Sequence, residues 1–503
     1  MLFNSHIFIF LFLPITLLGF FTLGSRGYYR IALAWLILAS LFFYGWWNPI
    51  YLSLLILSIL CNYTLGQGLN RYRNKTILIL GISANLALLG YYKYANFFIA
   101  NVNSLFGSSY YIDTILLPLA ISFFTFQQIA YLVDSYRGET KHYQFLHYTL
   151  FVTFFPQLIA GPIVYHREML PQFSNTSLSR YSSENFSVGL TIFGIGLFKK
   201  VVLADNIALY ATPVFEAAEQ GAALSFLEAW GGVLGYTLQL YFDFSGYSDM
   251  AVGLARMFGI ILPLNFYSPY KAINIIEFWH RWHITLSRFL RDYLYIPLGG
   301  NRKGTSRRFF NLMLTLFLGG LWHGAGWTFV LWGLLHGIYL VINHLWQQLW
   351  KRLNPNSPNC KGEINDKTQG SLIGQSLSIL ITFIAVTVAW VLFRAANLNS
   401  AFLIYKSMIG LQGIVFTFDE LPLFSQMQLT WLIVLLIIVW VMPNTYQLMQ
   451  QFRQVLPTNQ NRVIQPFRLQ WQPTRRWAVI SALITGIAIL SLTRITEFLY
   501  FQF

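Results

Sequence analysis

The chain has 503 residues, of which 56% are hydrophobic, 18% aromatic and only 10% charged, and its net charge is +15. A soluble domain carries roughly 25% charged residues, so this composition indicates lipid as the solvent. Lys and Arg gather in short connections between apolar runs, which is typical of cytoplasmic loops and excludes a nucleic-acid-binding face. The two cysteines give neither a disulfide framework nor a zinc spacing. We therefore expect a membrane protein surrounded by membrane lipids, with no nucleic-acid partner.

Apolar runs long enough to cross a bilayer recur along the whole chain. They predict an all-α, polytopic helical bundle of about 11–13 membrane passages, which forms a single domain over residues 1–503. Basic residues at Arg26 and Arg30, and again at Arg71 and Arg73, end the first and third runs. Since both connections should face the cytoplasm, the N-terminus is predicted to lie outside.

Two of the middle segments are unusual for membrane spans. Residues 112–133 are predicted to form a helix of the bundle interior, because four side chains are too polar to face lipid: Ser122, Thr125, Gln127 and Gln128. Residues 145–165 are apolar but broken by Pro156 and by Gly161-Pro162, which favours a re-entrant or interfacial segment over a clean span.

Residues 241–259 have membrane character but contain Asp243, Asp249 and Arg256. Ionisable groups inside membrane segments are costly and are functional-site hypotheses by default. Two interpretations stay open for them. They form internal ion pairs or water-facing helix ends, or they belong to a polar cavity that receives substrate, in which case Asp243 and Gln127 would line it.

Residues 274–294 have the periodicity of one amphipathic helix, with Asn274 as its predicted N-cap. In such a helix one face carries His280, His283, Ser287 and Arg291. A stripe of this kind must face water, a cavity or an anionic ligand. The competing interpretation is a helix that lies on the cytoplasmic leaflet, with its arginines on lipid phosphates.

A further histidine, His323, lies in the glycine-rich sequence GGLWHGAGW. The glycines are expected to let backbone and ligand approach closely. The apolar setting, with no carboxylate nearby in sequence, favours a neutral imidazole that can accept a proton. His336, in LLHG, is interpreted as a packed, hydrogen-bonded helix histidine, with a place in the substrate tunnel as the alternative.

Zinc is the other role that these histidines could have. His280, His283, His323 and His336 supply enough nitrogens, but no Cys, Asp or Glu accompanies them at a ligand spacing. We expect no metal. Residue chemistry alone thus predicts a buried polar path with a histidine suited to general base catalysis and a basic cytoplasmic mouth suited to a phosphate-bearing substrate.

These residues resemble the membrane-bound O-acyltransferase family, in which a polar residue precedes a membrane-embedded histidine by some tens of residues. Here the two would be His283, in RWHITLSRFLRDYLYIPLGGNR, and His323, in GGLWHGAGWTFVLWGLLHG. PQLIAGPIVYH and QLYFDFSGYSDMAVGLARMFG are similar to the bacterial branch that O-acetylates alginate or D-alanylates teichoic acids. WVLFRAANLNSAF resembles the alginate-type members. The resemblance covers most of the chain from about residue 46, with a signature core at about 110–345 and a polar cytoplasmic loop at 351–370.

The resemblance implies tilted helices and re-entrant segments around a central tunnel, in the cytoplasmic membrane of a bacterium. It implies an O-acyltransferase that moves an acyl group, most simply acetyl, from a cytoplasmic thioester. The donor would be acetyl-CoA or an acyl carrier, with no tightly bound cofactor. The acceptor would be a hydroxyl of an exported polysaccharide or of a periplasmic partner protein.

On this basis we expect His323 to deprotonate the acceptor hydroxyl, and His283 to orient the acceptor or stabilise the oxyanion. The tunnel is expected to be lined by Trp282, Ser287, Arg291, Trp322, Trp327, Asp243, Gln127 and His336. A covalent acyl-enzyme has no evident nucleophile, because Cys61 is distant in sequence and Ser287 has no evident base.

Two other functions stay open at this point. One is D-alanyl transfer to a teichoic-acid-like polymer, which uses the same chemistry with another acyl group. The other is a transporter of a glycan or lipid intermediate, with no acyl chemistry at all. Inverted repeats with matched broken helices would favour transport, and the sequence has only one clearly broken segment.

Overall fold

The computed structural model describes residues 1–140, 143–353, 372–452, 469–492 and 499. Helices are the only regular elements in these ranges, and no strand occurs in them. The α-helices are α1 (Leu13–Ser25), α2 (Tyr29–Gly45), α3 (Ile50–Tyr72), α4 (Lys75–Leu89), α5 (Ala95–Phe106), α6 (Ile121–Arg137), α7 (Phe145–Thr153), α8 (Phe155–Leu158), α9 (His166–Phe173), α10 (Ser183–Phe198), α11 (Asp205–Glu219), α12 (Phe226–Met257), α13 (Ile275–Arg281), α14 (Ile284–Leu290), α15 (Thr305–His323), α16 (Trp327–Leu353), α17 (Leu372–Arg394), α18 (Leu398–Met408), α19 (Gln426–Val441), α20 (Thr445–Leu448) and α21 (Arg475–Leu490). The predicted loop 351–370 lies outside the described residues except for 351–353, which end α16.

Six helical segments of the described chain are long and apolar enough to cross a membrane: Phe8–Ser25, Ile50–Tyr72, Lys75–Phe106, Ser183–Glu219, Trp327–Leu353 and Leu372–Arg394. Helices α2 and α19 are apolar but shorter. These segments confirm the predicted all-α, multi-pass membrane protein. The predicted count of passages also included segments that the structure holds as shorter or more polar helices, among them α6, α12 and α21.

The chain divides into two compact units. The first unit comprises Met1–Val202, Asp243–Leu264 and Thr445–Phe503, and the second comprises Leu203–Phe242 and Asn265–Asn444. Helix α12 therefore contributes residues to both. A single domain over the whole chain stays a prediction.

Helix α6 of the first unit begins at Ile121 rather than at residue 112 as predicted, and residues 121–132 are all buried, as expected from its polar side chains. Gln127 and Gln128 are both buried, and the Gln128 side-chain oxygen accepts a hydrogen bond from the Ser58 hydroxyl of α3. The side chains of Asn62 and Asn85 exchange hydrogen bonds between α3 and α4 at 2.7 and 3.2 Å. Polar contacts of this kind join helices where lipid offers no partner.

The broken segment predicted at residues 145–165 is broken in the structure. Helix α7 ends at Thr153, Phe154 leaves the helical region with ψ 108°, and the four-residue α8 follows. Residues 150–166 are all buried, and the Gln157 amide donates a hydrogen bond to the Phe151 carbonyl oxygen at 2.6 Å. Irregular backbone is tolerated at membrane depth where protein covers it, and protein covers this segment. Its position in the bilayer stays a prediction.

The charged residues of 241–259 form ion pairs within the first unit. The ammonium of Lys200 lies 2.7 Å from the Asp243 carboxylate, and that of Lys199 lies 2.6 Å from Asp249. Both lysines lie in a π-helical turn, Lys199–Ala204, which joins α10 to α11. The ion-pair interpretation therefore accounts for these two aspartates.

In the second unit, α15 and α16 form an antiparallel pair that crosses at two glycines. A Cβ on Gly333 would overlap the Leu316 carbonyl oxygen, and a Cβ on Gly320 would overlap the Phe329 carbonyl oxygen. Small residues let two membrane helices approach closely. This crossing brings the C-terminal end of α15, at His323, close to the first turns of α16.

Candidate active site

The predicted single helix over residues 274–294 is wrong, because the structure breaks it at His283. Asn274 caps the helix as predicted, since its side-chain oxygen accepts a hydrogen bond from the Glu277 N–H at 2.9 Å. Helix α13 then ends at Arg281, His283 has the left-handed conformation φ 42°, ψ 52°, and α14 begins at Ile284. The shared polar face is therefore lost: His280 is exposed, whereas His283 is fully buried.

Two backbone hydrogen bonds from an adjoining segment hold this break. The Tyr267 N–H donates to the Arg281 carbonyl oxygen at 2.9 Å, and the Ile284 N–H donates to the Asn265 carbonyl oxygen at 2.9 Å. They satisfy backbone groups on either side of His283 that a continuous helix would have paired internally. A non-glycine residue in the left-handed region costs free energy, so these tertiary contacts stabilise the strained conformation.

The side chain of Asn265 determines which ring nitrogen of His283 carries the proton. Its Oδ1 atom accepts from the Thr285 backbone N–H at 3.3 Å and from the Thr285 hydroxyl at 2.9 Å, and lies 3.1 Å from His283 Nδ1. Because a backbone N–H can only donate, this atom of Asn265 is an acceptor and Nδ1 of His283 must donate to it. Nε2 then has the lone pair. Burial in apolar surroundings disfavours the charged form, so we take the imidazole as neutral.

His323 is the last residue of the 19-residue helix α15 and is buried. Its ring centroid lies 6.5 Å from that of His283, so the two predicted histidines are neighbours. The negative end of a helix dipole favours a positive charge, which supports the imidazolium that forms when His323 accepts a proton. A buried imidazole at such a helix end can serve as a general base.

The glycines around His323 have a different role from the one predicted. Gly320 lies in the crossing with α16, and a Cβ on Gly324 would overlap the Phe329 ring. These two glycines therefore bring protein groups together rather than admitting a ligand. Gly326 has only ordinary contacts within 4 Å.

Aromatic rings surround both histidines. The His323 ring contacts Trp322, Trp332 and Phe393 at centroid distances of 4.9, 5.1 and 5.1 Å. Trp282 packs on Trp390 at 4.9 Å. The surroundings of the histidines are therefore largely apolar, which strengthens electrostatic interactions made there.

His336 lies in the same aromatic group. Its ring contacts Trp332 at 4.8 Å and Trp279 at 5.1 Å, and it is fully buried. The interpretation of a packed histidine is confirmed, but the expected hydrogen bond is not found: within the described part of the chain, neither ring nitrogen has a hydrogen-bond partner.

Three other predicted residues lie at the margin of this pocket. Ser287 is one turn beyond His283, and among the described residues its hydroxyl has no hydrogen-bond partner, so nothing there activates it as a nucleophile. The Arg291 side chain is 61% exposed and pairs with Asp292 at 2.7 Å. Trp327, at the start of α16, is 54% exposed.

The remaining predicted residues, Asp243 and Gln127, belong to the first unit. Asp243 is ion-paired with Lys200 and also accepts a hydrogen bond from the Leu499 backbone N–H at 3.1 Å. In the ranges that the structure describes, no three His, Cys, Asp or Glu side chains cluster as a metal site requires.

Sequence reasoning missed two kinds of residue here. Asn265 carries no local signal, because an Asn in PLNFYSP is typical of a turn. Trp332 and Trp390 lie within apolar helices, where tryptophan is usually interpreted as a packing or interface residue. Only the fold brings them to the histidines.

In this multi-pass helical membrane protein, two neighbouring buried histidines lie among aromatic rings, an arrangement that suits acid–base chemistry. Comparison with known proteins identifies the class: the sequence profile of the membrane-bound O-acyltransferase family matches residues 41–359. The chain belongs to this family. It is an O-acyltransferase by class, and the resemblance seen in its motifs is confirmed.

Individual relatives place the chain within the family. It is 47% identical over 447 residues to a peptidoglycan O-acetyltransferase of Helicobacter pylori. This alignment covers 82% of this chain and 81% of the relative. It is 39% identical over 522 residues to a probable alginate O-acetylase AlgI of Pseudomonas putida, covering 100% of both. A teichoic acid D-alanyltransferase of Streptococcus thermophilus is 28% identical over 286 residues, 55% of this chain and 68% of the relative. The alginate-type branch is thus the part of the family that it resembles along its whole length.

Proposed function

We propose that this protein transfers an acetyl group from a cytoplasmic thioester to a hydroxyl of an exported cell-envelope glycan, directly or through a periplasmic partner protein. The observation that carries the proposal is the pair His323 and His283, with ring centroids 6.5 Å apart in a buried aromatic pocket. The donor would be acetyl-CoA or an acyl carrier. It is a substrate, and no tightly bound cofactor is needed.

The relatives favour acetyl over D-alanyl. Two O-acetylating relatives are 47% and 39% identical over 82% and 100% of this chain, whereas the D-alanyltransferase is 28% identical over 55%. The acceptors named for these relatives are peptidoglycan and alginate. D-alanyl transfer to a teichoic-acid-like polymer is the second candidate, and the donor preference separates the two.

The chemistry is an acyl transfer in which His323 moves one proton. His323 takes the proton of the acceptor hydroxyl, whose oxygen attacks the thioester carbonyl carbon. The resulting tetrahedral intermediate collapses, the carbon–sulfur bond breaks, and the proton on His323 passes to the thiolate sulfur. One ester and one thiol replace one thioester and one hydroxyl.

The tautomer of His283 supports an acceptor-orienting role for this residue. With its Nδ1 proton donated to Asn265, neutral His283 offers a lone pair on Nε2, which can accept a hydrogen bond from a hydroxyl. A lone pair cannot stabilise an oxyanion, which requires a donor. Of the two roles expected from the sequence, orientation of the acceptor is the one this geometry favours.

The membrane arrangement is part of the proposal. We place the protein in the cytoplasmic membrane of a bacterium, with the N-terminus outside, from the positions of Arg26, Arg30, Arg71 and Arg73. The thioester would then enter from the cytoplasm and the acceptor from the opposite side.

The test is transfer of label from acetyl-CoA in membranes that contain the wild-type protein, His323→Ala, His283→Ala or the control His6→Ala. His6 is exposed and distant in sequence from the pocket. Loss of a general base lowers the rate by about 10²–10⁴-fold. The transfer rate of His323→Ala should therefore fall by at least about 10²-fold, while its thermal stability is retained. His6→Ala should match the wild type. Labelled D-alanyl thioester is supplied in a parallel set.

Unchanged transfer by folded His323→Ala would refute the mechanism. Preference of the wild type for the D-alanyl donor would replace acetyl with the second candidate. If a glycan crosses the vesicle membrane and no acyl group is transferred from either donor, the protein is a transporter instead.

A further inference from the structure

The mechanism requires hydrogen-bond donors that neutral His283 does not supply. During acyl transfer the thioester carbonyl oxygen becomes an oxyanion, and donors aimed at that oxygen are usually the largest contribution to catalysis. Nδ1–H of His283 is engaged with Asn265, and its Nε2 is an acceptor. The donors must therefore come from other side chains of the pocket.

Trp332 is placed to supply one. Its ring contacts His323 edge-on, at 5.1 Å and 88°, and also contacts His336, at 4.8 Å and 63°. It is 1% exposed, and its indole N–H has no hydrogen-bond partner in the described part of the chain. It lies between the base of the reaction and a second buried histidine.

The other members of this group share that property. His336 is fully buried, and neither of its ring nitrogens has a hydrogen-bond partner among the described residues. The indole N–H of Trp279 is also buried and has no partner among them. The rings of Trp279, Trp332 and His336 form a triangle with centroid distances of 4.8, 5.1 and 5.9 Å. Three neighbouring polar groups are thus buried without an internal acceptor.

This concentration requires an explanation. A buried donor left without a partner costs about 1–3 kcal/mol, and native proteins have few such groups. Three in one triangle would be a considerable cost if the rings only filled space, since Phe or Leu would fill it without that penalty. An oxygen atom of a substrate that binds here would remove the cost.

The position of His323 identifies that oxygen. The attacking hydroxyl must lie within hydrogen-bond reach of His323, and the thioester carbon must lie against that hydroxyl. The carbonyl oxygen is one bond from this carbon. A donor that stabilises it must therefore lie close to His323: Trp332 contacts His323 directly, and His336 contacts Trp332.

We propose that the indole N–H of Trp332, together with a ring N–H of His336, binds the carbonyl oxygen of the acyl thioester and stabilises its negative charge in the tetrahedral intermediate. The electron pair of the carbonyl moves onto this oxygen as the hydroxyl adds, and returns when the carbon–sulfur bond breaks. The inference rests on the proposed function, since it assigns the oxyanion site of the same reaction.

The test measures kcat and KM for acetyl-CoA in Trp332→Phe, which retains a ring and removes the N–H. Loss of one oxyanion donor costs about 10²–10³-fold in kcat, and KM should change little. Thermal stability should be unchanged or higher, because a buried unpaired group has been removed. The control is Trp346→Phe, on the same helix α16 but exposed.

A second readout would not respond to a purely structural role. The carbonyl stretch of bound ¹³C-labelled acetyl thioester, followed by isotope-edited infrared spectroscopy, should lie at lower frequency in the wild type than in Trp332→Phe. If Trp332→Phe does not fold, His336→Gln and His336→Leu replace it. Gln keeps an N–H donor and Leu has none, so the Gln variant should retain at least tenfold more activity.

Wild-type kcat and an unshifted carbonyl band in Trp332→Phe would overturn the inference, as would equal activity of the two His336 variants. In either case His323→Ala would still be inactive if the proposed function holds. Activity in His323→Ala would overturn the proposed function itself.

Discussion

Two groups of buried polar side chains in this protein differ in how they are partnered. The ion pairs of the first unit join Lys200 to Asp243 at 2.7 Å and His166 to Asp134 at 2.9 Å. In the second unit His336 and Trp332 are equally buried, yet among the described residues His336 and the Trp332 indole N–H have no hydrogen-bond partner. The cost of burial is thus compensated at these ion pairs and left uncompensated at Trp332 and His336.

The difference separates stability from function. A paired charge in a dry interior fixes neighbouring helices, and breaking the pair is expensive. A buried donor without a partner contributes nothing to stability. Its presence is best explained by a hydrogen bond to a ligand that binds there. Substitutions that break these ion pairs should therefore change stability, and substitutions around His336 should change turnover.

The largest effect on stability is expected for Lys200→Met, which leaves the Asp243 carboxylate buried without its charge partner. Breaking such a pair costs about 3–5 kcal/mol, whereas Lys200→Met with Asp243→Asn should recover much of it. Denaturant unfolding of the purified protein measures both. If Asp243 lined the substrate tunnel, as the sequence allowed, the double variant would be stable but inactive; we expect it to be stable and active.

The next effect is expected in catalysis, for Asn265→Ala. This change removes the acceptor that fixes the ring and tautomer of His283, and a misplaced reacting group costs up to about 10²-fold in rate. Steady-state kinetics with the acceptor varied should show the loss. Thr285→Val is the matched control, since it removes another donor to the same oxygen and leaves the histidine bond intact. Equal losses in the two variants would mean that Asn265 acts only through packing.

The smallest effect is expected for Gly333→Ala at the crossing of α15 and α16. The added Cβ would overlap the Leu316 carbonyl oxygen, and overpacking of this kind costs about 1–3 kcal/mol. Because the crossing positions both His323 and Trp332, turnover should fall together with thermal stability. In the control Gly486→Ala, no heavy atom lies within 4 Å of the new Cβ, so stability should be retained or slightly raised. A neutral Gly333→Ala would show that the helices can separate without consequence.

The sequence predicted several features of the structure for reasons that are local. Side chains such as Gln127 and Gln128 cannot face lipid, so their burial follows from residue type alone. Pro156 and Gly161 predicted the broken segment in the same way. The roles of Asp243 and Asp249 stayed open, because whether Lys199 and Lys200 reach them depends on how α10 packs against α12.

The single helix predicted at residues 274–294 shows where local reasoning failed. Its apolar periodicity is real, and Asn274 caps it as expected. Nothing within this stretch interrupts it, and the break at His283 is held by a hydrogen bond that the Tyr267 N–H donates and by one that the Asn265 carbonyl oxygen accepts. A conformation that tertiary contacts stabilise against local preference is not visible in the spacing of hydrophobic residues.

The sequence by itself therefore determined that this is an all-α membrane protein of the O-acyltransferase family, and that His283 and His323 are its candidate catalytic residues. The tertiary structure alone decided that His283 leaves its helix, that Asn265 sets its tautomer, and that Trp332 lies between His323 and His336. The physical reason is that composition and periodicity indicate whether a segment lies in lipid, in water or in the protein interior. A hydrogen bond or ring contact between distant segments exists only once those segments have packed together.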